Sequence, residues 1–510
     1  MSGDGFPIVL TADRTLMAGY RVLLEGMLAC SQTTTTPGLL MKSLMAPALK
    51  RVSGSQTGDR LRAPVANLGL RRVEAALRRD GLGPDQVVVV APRDLSAAIG
   101  PATRIVGLSS GDPLGLGMNS NTMTGIAGGR IYTKTWFGHL ARRARALVRN
   151  PDCRIVAGGP GAWQLAQNDR ARAGLGIDHV LTGYCESGVA DLFRRLLAGE
   201  SLPTVLSTLA PSVSQVPAIL GPTVMGAVEV SRGCGLGCDF CTLAAQPMMH
   251  FPVDFILADA LANLRAGVRD LSLVSEDFFR YGAQAPTRTD PAAVIKLLEG
   301  LRRLPDLRLL QLDHANVSSI AAYSDRELVR VHELLTAGSP GHLLWINLGV
   351  ETASARLLAA NGGGPKMRAL GESDWADVCL EQVHRLSGAG FVPMVSLVLG
   401  LPGETPDDIR LTLDWVRRLR GERVTVFPMF LAPLSSEAAT FGVRDMTRLH
   451  WQLFRECYRF NFKWIPRLFW DNQSRAGVGM IRRLMVQVMG RANVLFWKSL
   501  FLLRSRGARP

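Results

Sequence analysis

Short apolar runs alternate with helical patterns along the N-terminal part of the chain. The runs predict five β-strands, at Pro7–Ala12, Gln86–Ala91, Arg104–Ser109, Cys153–Ala157 and Asp178–Thr182. Apolar residues at helical spacing predict helices between them, at Leu68–Arg79, Phe137–Val148 and Gly188–Leu197. Strands that alternate with amphipathic helices pair in parallel and are covered on both faces. We therefore expect a doubly wound, Rossmann-like α/β domain.

One stretch breaks this alternation. Between Ser31 and Asn67 the sequence has four consecutive threonines, two serines flanking Gly54, and several prolines. A segment of this length and composition predicts a long insertion or lid, with a short helix around Leu39–Leu49.

A second series of apolar runs follows the Pro-containing link Pro211–Pro222. It predicts six strands separated by helices, at Val224–Ser231, Leu271–Ser275, Leu307–Leu312, Leu344–Val350, Pro393–Leu399 and Val424–Phe430. Six βα units predict a partial TIM-like barrel, whose chemistry lies at the C-terminal ends of its strands. Five of the strands are indeed followed by a conspicuous residue: Cys234, Glu276, Asp313, Glu351 or Gly400. Asp313 and its neighbour His314 are either substrate contacts or structural residues.

The pattern divides the chain into three regions. Residues 1–215 form the Rossmann-like domain, residues 216–440 the barrel, and residues 441–510 a helical C-terminal tail. The formal charge of +15 is concentrated in that tail, where 14 Lys and Arg outnumber three acids. Ile481, Leu484, Met485, Val488, Ala492, Leu495, Phe496 and Leu502 recur there at helical spacing, and Arg482, Arg483 and Arg491 lie off that stripe. The tail is therefore expected either to lie on an anionic membrane surface or to cap the barrel, and nucleic acid ranks below both.

Composition narrows the class of protein. Hydrophobic residues make up 47% of 510 residues, which is typical of globular domains. No apolar run is long enough to span a bilayer, and the N-terminal sequence has no secretory signal pattern. Eight cysteines are too few for a disulfide scaffold, and we expect a cytoplasmic chain with reduced thiols. Cys30, Cys153, Cys379 and Cys457 are scattered and are expected to be core thiols.

Three cysteines lie together in the stretch Glu229-Val-Ser-Arg-Gly-Cys-Gly-Leu-Gly-Cys-Asp-Phe-Cys241. Thiolates suit iron–sulfur clusters and zinc, and the interspersed glycines let the backbone approach a cluster closely. Cys234, Cys238 and Cys241 would ligate three of four irons and leave one open for a substrate. The alternative is a zinc site with His250 as fourth ligand, and zinc sites usually have a second cysteine pair, which this sequence lacks.

This motif, after the first strand of a partial barrel, resembles the radical S-adenosylmethionine (SAM) superfamily. The resemblance covers about residues 224–433 and implies a 4Fe–4S cluster that cleaves SAM reductively. It implies SAM contacts at Phe240 in the cysteine motif, at Glu276, at Glu351 in Gly349–Thr352, and at Gly400 and Gly403 in Leu399–Glu404. Ser275-Glu276-Asp277 departs from the Gly-Gly-Glu that the family often has, although a carboxylate there suits the SAM amino group.

The order of the two domains resembles the cobalamin-binding branch of that superfamily. Glycine-rich segments follow the predicted third and fourth strands, at Gly107–Gly117 and Gly158–Gly161, and Gly183–Glu186 follows the fifth. Small residues at strand ends allow a ligand to approach the backbone. The resemblance implies cobalamin contacts at Ser109, Gly111, Asp112, Gly158, Gly159 and Gly161. The Asp-x-His-x-x-Gly pattern that supplies a cobalt ligand in many cobalamin proteins is missing, so the alternative is a domain that has lost the cofactor.

The resemblance predicts a radical SAM enzyme that methylates or otherwise modifies an unactivated carbon of a small-molecule substrate with cobalamin. It also implies an electron donor such as flavodoxin or ferredoxin. The alternatives are a rearrangement, cyclisation, oxidation or carbon–heteroatom bond formation without cobalamin, and a non-catalytic metal-binding module. The functional glutamates and glycines at successive strand ends argue against the module.

Overall fold

The computed structural model of the protein describes residues 4–36, 38, 61–285, 287–368, 370, 374–432 and 440–508. Most of the predicted insertion Ser31–Asn67, including its helix at Leu39–Leu49, lies outside the described residues. The chain forms two compact units. The first comprises Met1–Ser120, Gly129–Ala227 and Ala258–Val268, and the second comprises Asn121–Gly128, Val228–Leu257 and Arg269–Pro510.

The first unit is built on a sheet of six strands. These are β1 (Ile8–Ala12), β2 (Val87–Val89), β3 (Ile105–Ser109), β4 (Arg154–Gly158), β5 (His179–Thr182) and β6 (Val205–Ser207). They pair in the order β2-β1-β3-β4-β5-β6, and every neighbouring pair is parallel. The order reverses between β1 and β3, and ligands bind such sheets at the strand ends beside this point. The predicted doubly wound domain is confirmed.

Helices cover both faces of this sheet. They are α1 (Leu23–Ser31), α2 (Leu68–Arg79), α3 (Leu95–Ala98), α5 (Tyr132–Leu147), α6 (Ala162–Ala166), α7 (Asp169–Gly174) and α8 (Val189–Leu197). The helix α4 (Met118–Ala127) follows β3, and its residues from Asn121 onward belong to the second unit. Alternate residues of a strand point to opposite faces, and Leu10 accordingly joins the core on one face while Val9 joins the core on the other.

The second unit contains the predicted partial barrel. Its strand segments are β7 (Ala227–Glu229), β8 (Ser231–Arg232), β9 (Met249–His250), β10 (Asp270–Val274), β11 (Leu309–Leu312), β12 (His314–Asn316), β13 (Trp345–Glu351), β14 (Val392–Leu399) and β15 (Thr425–Phe430). The hydrogen-bonded orders are β11-β10-β7 and β12-β13-β14-β15. The segments β11 and β12 are consecutive halves of one strand that is interrupted at Asp313, and β7 and β8 are likewise consecutive. Apart from β9, which pairs with β8 in a separate ladder, the segments therefore form six barrel strands. The first barrel strand is shorter than predicted because Val224–Gly226 forms a turn in which Met225 has φ 58°.

Helices connect the barrel strands and form the C-terminal region. They are α9 (Val253–Arg265), α10 (Pro291–Arg302), α11 (Val317–Ala321), α12 (Asp325–Thr336), α13 (Ala355–Leu358), α14 (Gly364–Arg368), α15 (Trp375–Gly388), α16 (Pro406–Arg418), α17 (Arg448–Arg475) and α18 (Met480–Ser505). The last two helices are the predicted helical tail. Of the helices described, none combines the length and the hydropathy required to cross a bilayer.

Candidate active site

The three motif cysteines lie on a loop that a small antiparallel ladder closes. Ser231 pairs with His250 and Arg232 with Met249, so β8 and β9 hold the two ends of the loop together. Inside it, the Cys234 amide donates to Gln246 O at 3.0 Å. Gly233 has φ +74°, and a Cβ there would lie 2.4 Å from Pro247 O. The glycine is therefore required by the tight fold of the loop itself.

The loop presents its cysteines at three different depths. Cys238 is buried, Cys234 is half-buried and Cys241 is exposed. Burial raises the pKa of Cys238 to about 11 and also raises the pKa of Cys234, so both are thiols until a metal displaces the proton. Within the described ranges, no three His, Cys, Asp or Glu side chains converge closely enough to hold one ion. Three ligands that each bind a different iron of a cluster need not converge on one point, so this donor set fits a cluster.

A buried arginine contacts the first cysteine. Arg280 Nη2 donates to Cys234 O at 2.5 Å and lies 3.5 Å from Cys234 Sγ. Its Nε donates to Asp277 Oδ2 at 2.8 Å. Asp277 is fully buried and also accepts from Asn316 Nδ2 at 3.0 Å and Ser319 Oγ at 2.5 Å. The guanidinium is therefore held rigidly against the cysteine loop.

A second buried cation acts electrostatically on the cysteines. Lys366 Nζ donates to Glu351 Oε1 at 2.8 Å, and both side chains are about nine-tenths buried. Burial favours the neutral amine, but the charge of Glu351 and its hydrogen bond outweigh it, and the pKa of Lys366 is raised. Glu351 has φ +67°, a conformation that is uncommon for a residue with a side chain. The positive φ coincides with a register shift between β13 and β14 at Gly349 and Glu351.

Acidic residues and a histidine follow the neighbouring strands. Burial raises the pKa of Glu276, and Asp313 raises it further while His314 lowers it. His314 Nδ1 lies 3.1 Å from Asp313 Oδ1. Burial lowers the pKa of His314, but Asp313, Glu276 and Glu351 outweigh it and raise the pKa to about 9. The charges of these residues act on one another, so the ends of the three strands that carry them lie at the same end of the barrel.

The segment after β14 is shaped by hydrogen bonding. The Gly400 amide donates to Glu404 Oε2 at 3.0 Å, and His450 Nε2 lies 2.9 Å from the same oxygen. A Cβ at Gly400 would lie 2.2 Å from the Phe441 ring, whereas a Cβ at Gly403 would have no atom within 4 Å in the part of the chain that the structure describes. Gly400 is therefore required for packing, and Gly403 is not. Phe240, the aromatic residue of the cysteine motif, is half-buried.

In the first unit, the loops after β3 and β4 lie against each other. The Gly161 amide donates to Ser110 O at 3.0 Å, and a Cβ at Gly159 would lie 2.8 Å from Ser109 Oγ. Gly158 ends β4, and its Cβ would be 3.6 Å from the nearest atom, Leu181 O. A Cβ at Gly111 would meet no atom of the described residues within 4 Å. These loops therefore pack closely at Gly159 and Gly161 and are open at Gly111.

Asp112 and Asp13 use their carboxylates differently. Asp112 accepts from the Leu116 amide at 2.9 Å, from Gln164 Nε2 at 2.6 Å and from Ser120 Oγ, so it organises its own loop. Asp13 follows β1 and is fully buried, and its Oδ2 has no hydrogen-bond partner among the described residues. Desolvation raises the pKa of Asp13 to about 6 against the hydrogen bonds from Thr15.

Sequence reasoning did not find Arg280, Lys366 or Asp13. Each is an isolated ionisable residue outside a recognisable motif, and its partners come from other elements. Burial of a charged residue type is the only property that distinguishes these side chains, and burial becomes visible in the structure alone.

A loop with three cysteines, following the first strand of a six-stranded parallel barrel, defines the class of this domain. Residues 228–416 match the sequence profile of the radical SAM superfamily. The second unit therefore contains a radical SAM domain, and proteins of that superfamily use a 4Fe–4S cluster and SAM.

Curated relatives include two proteins called ribosomal protein uS12 methylthiotransferase RimO. The one from Anaeromyxobacter sp. is 28% identical over 322 residues, which are 62% of each chain. The one from Myxococcus xanthus is 27% identical over 261 residues, which are 49% of each chain. An uncharacterized protein of Methanopyrus kandleri is 27% identical over 214 residues, 41% of this chain and 38% of its own. The chain thus spans between 38% and 62% of the length of these relatives.

The solved structures show a similar architecture. The radical SAM methyltransferase TsrM from Kitasatospora setae, with cobalamin and a 4Fe–4S cluster bound, matches with a TM-score of 0.52 at 14% identity, covering 84% of this chain and 72% of TsrM. TsrM with tryptophan and a SAM analogue matches with a TM-score of 0.53, also at 14% identity, covering 84% of this chain and 75% of TsrM. At this identity the likeness concerns the fold alone, and it confirms the predicted fold class: a Rossmann-like N-terminal domain, of the fold seen in TsrM, followed by a partial barrel and a helical C-terminal region.

Proposed function

We propose that the chain is a cobalamin-dependent radical SAM enzyme that methylates, or otherwise modifies, an unactivated carbon of a small-molecule substrate. The observation that carries this proposal is the loop of Cys234, Cys238 and Cys241, closed by the β8–β9 ladder, within a radical SAM domain. The order of the domains along the chain is similar to that of TsrM. An electron donor such as flavodoxin or ferredoxin and a cytoplasmic location belong to the same proposal.

In this proposal the three cysteines hold the cluster, and residues at the strand ends hold SAM. Bound there, the reduced cluster supplies the electron that breaks a carbon–sulfur bond of SAM. Glu276 accepts from the SAM amino group, because a half-buried carboxylate gains from a cationic partner. Glu351 lies near the ribose, and Phe240, Gly400 and Gly403 lie near the adenine.

Cobalamin binding is proposed for the first unit. The loops after β3 and β4 lie beside the reversal of strand order, where ligands of such sheets bind. Ser109, Gly158, Gly159 and Gly161 keep the two loops close, Asp112 holds the shape of the first loop, and Gly111 offers open space to the ligand. The TsrM structure with bound cobalamin supports this assignment at the level of the fold.

Anaerobic reconstitution tests the cluster. The wild-type chain should bind about four irons and about four sulfides. A variant in which Cys234, Cys238 and Cys241 are all replaced by Ala should bind none and should not cleave SAM. Replacing the buried Cys153 and Cys379 by Ala is the matched control and should leave iron binding intact. One zinc per chain without sulfide would contradict the proposal.

A glycine substitution tests the cobalamin site. A Cβ at Gly111 lies more than 4 Å from the described atoms, so Gly111→Leu should abolish binding of hydroxocobalamin while thermal stability is kept. Gly174→Leu, also in open space but on α7, is the control and should bind about one cobalamin per chain. If equilibrium dialysis detects no cobalamin on the wild-type chain, the domain has lost the cofactor and the alternatives without methyl transfer remain.

The RimO relatives favour a second candidate, methylthiotransfer to a protein. The two candidates differ in what the product gains: a methyl group, or a methyl group together with sulfur. Mass spectrometry of products formed with isotopically labelled SAM distinguishes them, since only methylthiotransfer adds the mass of sulfur.

A further inference from the structure

The last helix, α18, exposes a continuous apolar stripe. Ile481, Val488 and Leu495 are 78%, 68% and 65% exposed. The exposed aliphatic side chains recur at helical spacing through the 26-residue helix and comprise Met480, Ile481, Leu484, Met485, Val488, Leu495, Leu502 and Leu503. A stripe of this length on a helix is the pattern of a surface that another apolar phase covers.

The opposite face of α18 is firmly packed, so the exposed stripe is not a consequence of a detached helix. Phe501 is 3% exposed, and its ring centroid lies 5.3 Å from that of Phe454 and 4.8 Å from that of Tyr458. Gln487 Nε2 donates to Pro466 O at 2.7 Å. This aromatic packing fixes which side of α18 faces outward, and the prediction that the stripe is buried against the barrel is wrong.

Cations border the stripe on both sides. On a helical wheel Arg491 and Lys498 lie along one edge and Arg482 along the other, and all three residues are exposed. Eight basic residues and no acid follow Asp471. An apolar face between two cationic edges is complementary to the acyl region and the anionic headgroups of a lipid surface.

We propose that α18 docks flat on an anionic lipid bilayer, with Ile481, Val488 and Leu495 inserted below the headgroups. A second copy of the chain fits the stripe poorly, because pairing two such faces would bring the cationic edges together. RNA would use the cations but would leave the aliphatic stripe exposed. A spanning orientation would place Arg491 and Lys498 in the hydrocarbon, so the helix lies along the interface.

Flotation with vesicles of equal parts phosphatidylglycerol and phosphatidylcholine tests this docking. The full chain should float with these vesicles and bind phosphatidylcholine vesicles more weakly. Ile481→Gln/Val488→Gln/Leu495→Gln should lose at least about tenfold in affinity, because it removes the inserted side chains. Leu209→Gln/Val329→Gln/Leu411→Gln changes three exposed aliphatic residues elsewhere and should bind like the wild type.

A charge variant separates the two contributions. Arg491→Gln/Lys498→Gln should weaken binding about fivefold per charge at low salt and should reduce the salt dependence. The iron content of reconstituted protein shows that each variant is folded. If the wild-type chain does not float, or if the stripe variant floats equally well, the proposal is overturned. It is also overturned if sedimentation shows a dimer that the stripe substitutions convert to a monomer.

Discussion

The contact of Arg280 with the cysteine loop has a measurable electrochemical consequence. The guanidinium donates to Cys234 O and reaches Cys234 Sγ, and it is 3% exposed. A hydrogen bond to a ligand sulfur stabilises the more negative, reduced state of a cluster and therefore raises its potential. Replacing Arg280 alone would leave Asp277 buried without its cation, so the cleaner change is Asp277→Asn/Arg280→Gln, which neutralises both partners.

The size of the effect follows from the strength of such a bond. Hydrogen bonds to charged groups contribute roughly 1.5–3 kcal/mol, and the 3.5 Å distance to Sγ places this one at the low end. If about half of that energy depends on the added electron, the two redox states differ by roughly 0.75 kcal/mol. At about 59 mV for each factor of ten in a one-electron couple, the double variant should have a potential lower by roughly 30 mV.

Anaerobic spectroelectrochemistry of the reconstituted chain without SAM measures this shift. The control is Glu299→Gln/Arg330→Gln, which neutralises an exposed ion pair of the same unit and should leave the potential unchanged. Equal iron and sulfide contents must accompany the comparison. A double variant with a full complement of iron and an unchanged or higher potential would refute the assignment of Arg280 to the cluster.

Three further predictions concern buried charges. Asp259→Asn removes the carboxylate that pairs with the buried Arg72 within the first unit and should lower stability by about 3 kcal/mol, measured by urea unfolding. Lys366→Met should cost about as much, and adding Glu351→Gln should recover part of the loss, which a double-mutant cycle measures. The pKa of Asp13, about 6, exceeds its usual 3.8, so ionisation opposes folding and stability falls by about 3 kcal/mol between about pH 4 and pH 6. The stability of the Asp13→Asn variant should therefore increase relative to that of the wild type as pH rises through this window. A stability difference that does not change with pH would contradict the reasoning.

Local patterns predicted those elements whose signals are local. The helix Leu68–Arg79 has the predicted bounds, since Asn67 caps its start by accepting from the Leu70 amide and basic residues fill its last turn. The strand β3 differs from its prediction by one residue. The strand β6, by contrast, was not predicted, because only Leu206 of its three residues is buried and no apolar run marks it.

The candidate site divides in the same way. Cysteine spacing indicated the cluster loop, because all three ligands lie within eight residues. Asp277, which holds Arg280 in place, accepts hydrogen bonds from Asn316 and Ser319, about forty residues further along the chain. No spacing rule reveals this arrangement. Lys366 lies in a short helix whose sequence resembles a solvent-exposed segment. Its pairing depends on the left-handed backbone of Glu351, a tertiary feature that a sequence pattern does not contain.

The charges at the barrel mouth favour a cationic ligand at one residue. His314 has a pKa of about 9 and is therefore charged at neutral pH, where its pairing with Asp313 makes the two residues neutral together. Lys366 and Glu351 form a second pair that is neutral overall. Among these strand-end groups Glu276 is left with no ion pair in the described part of the chain, and burial raises its pKa. A half-buried carboxylate without a counterion is stabilised when a cation arrives. SAM carries an ammonium and a sulfonium, so this imbalance supports Glu276 as the residue that receives the SAM amino group.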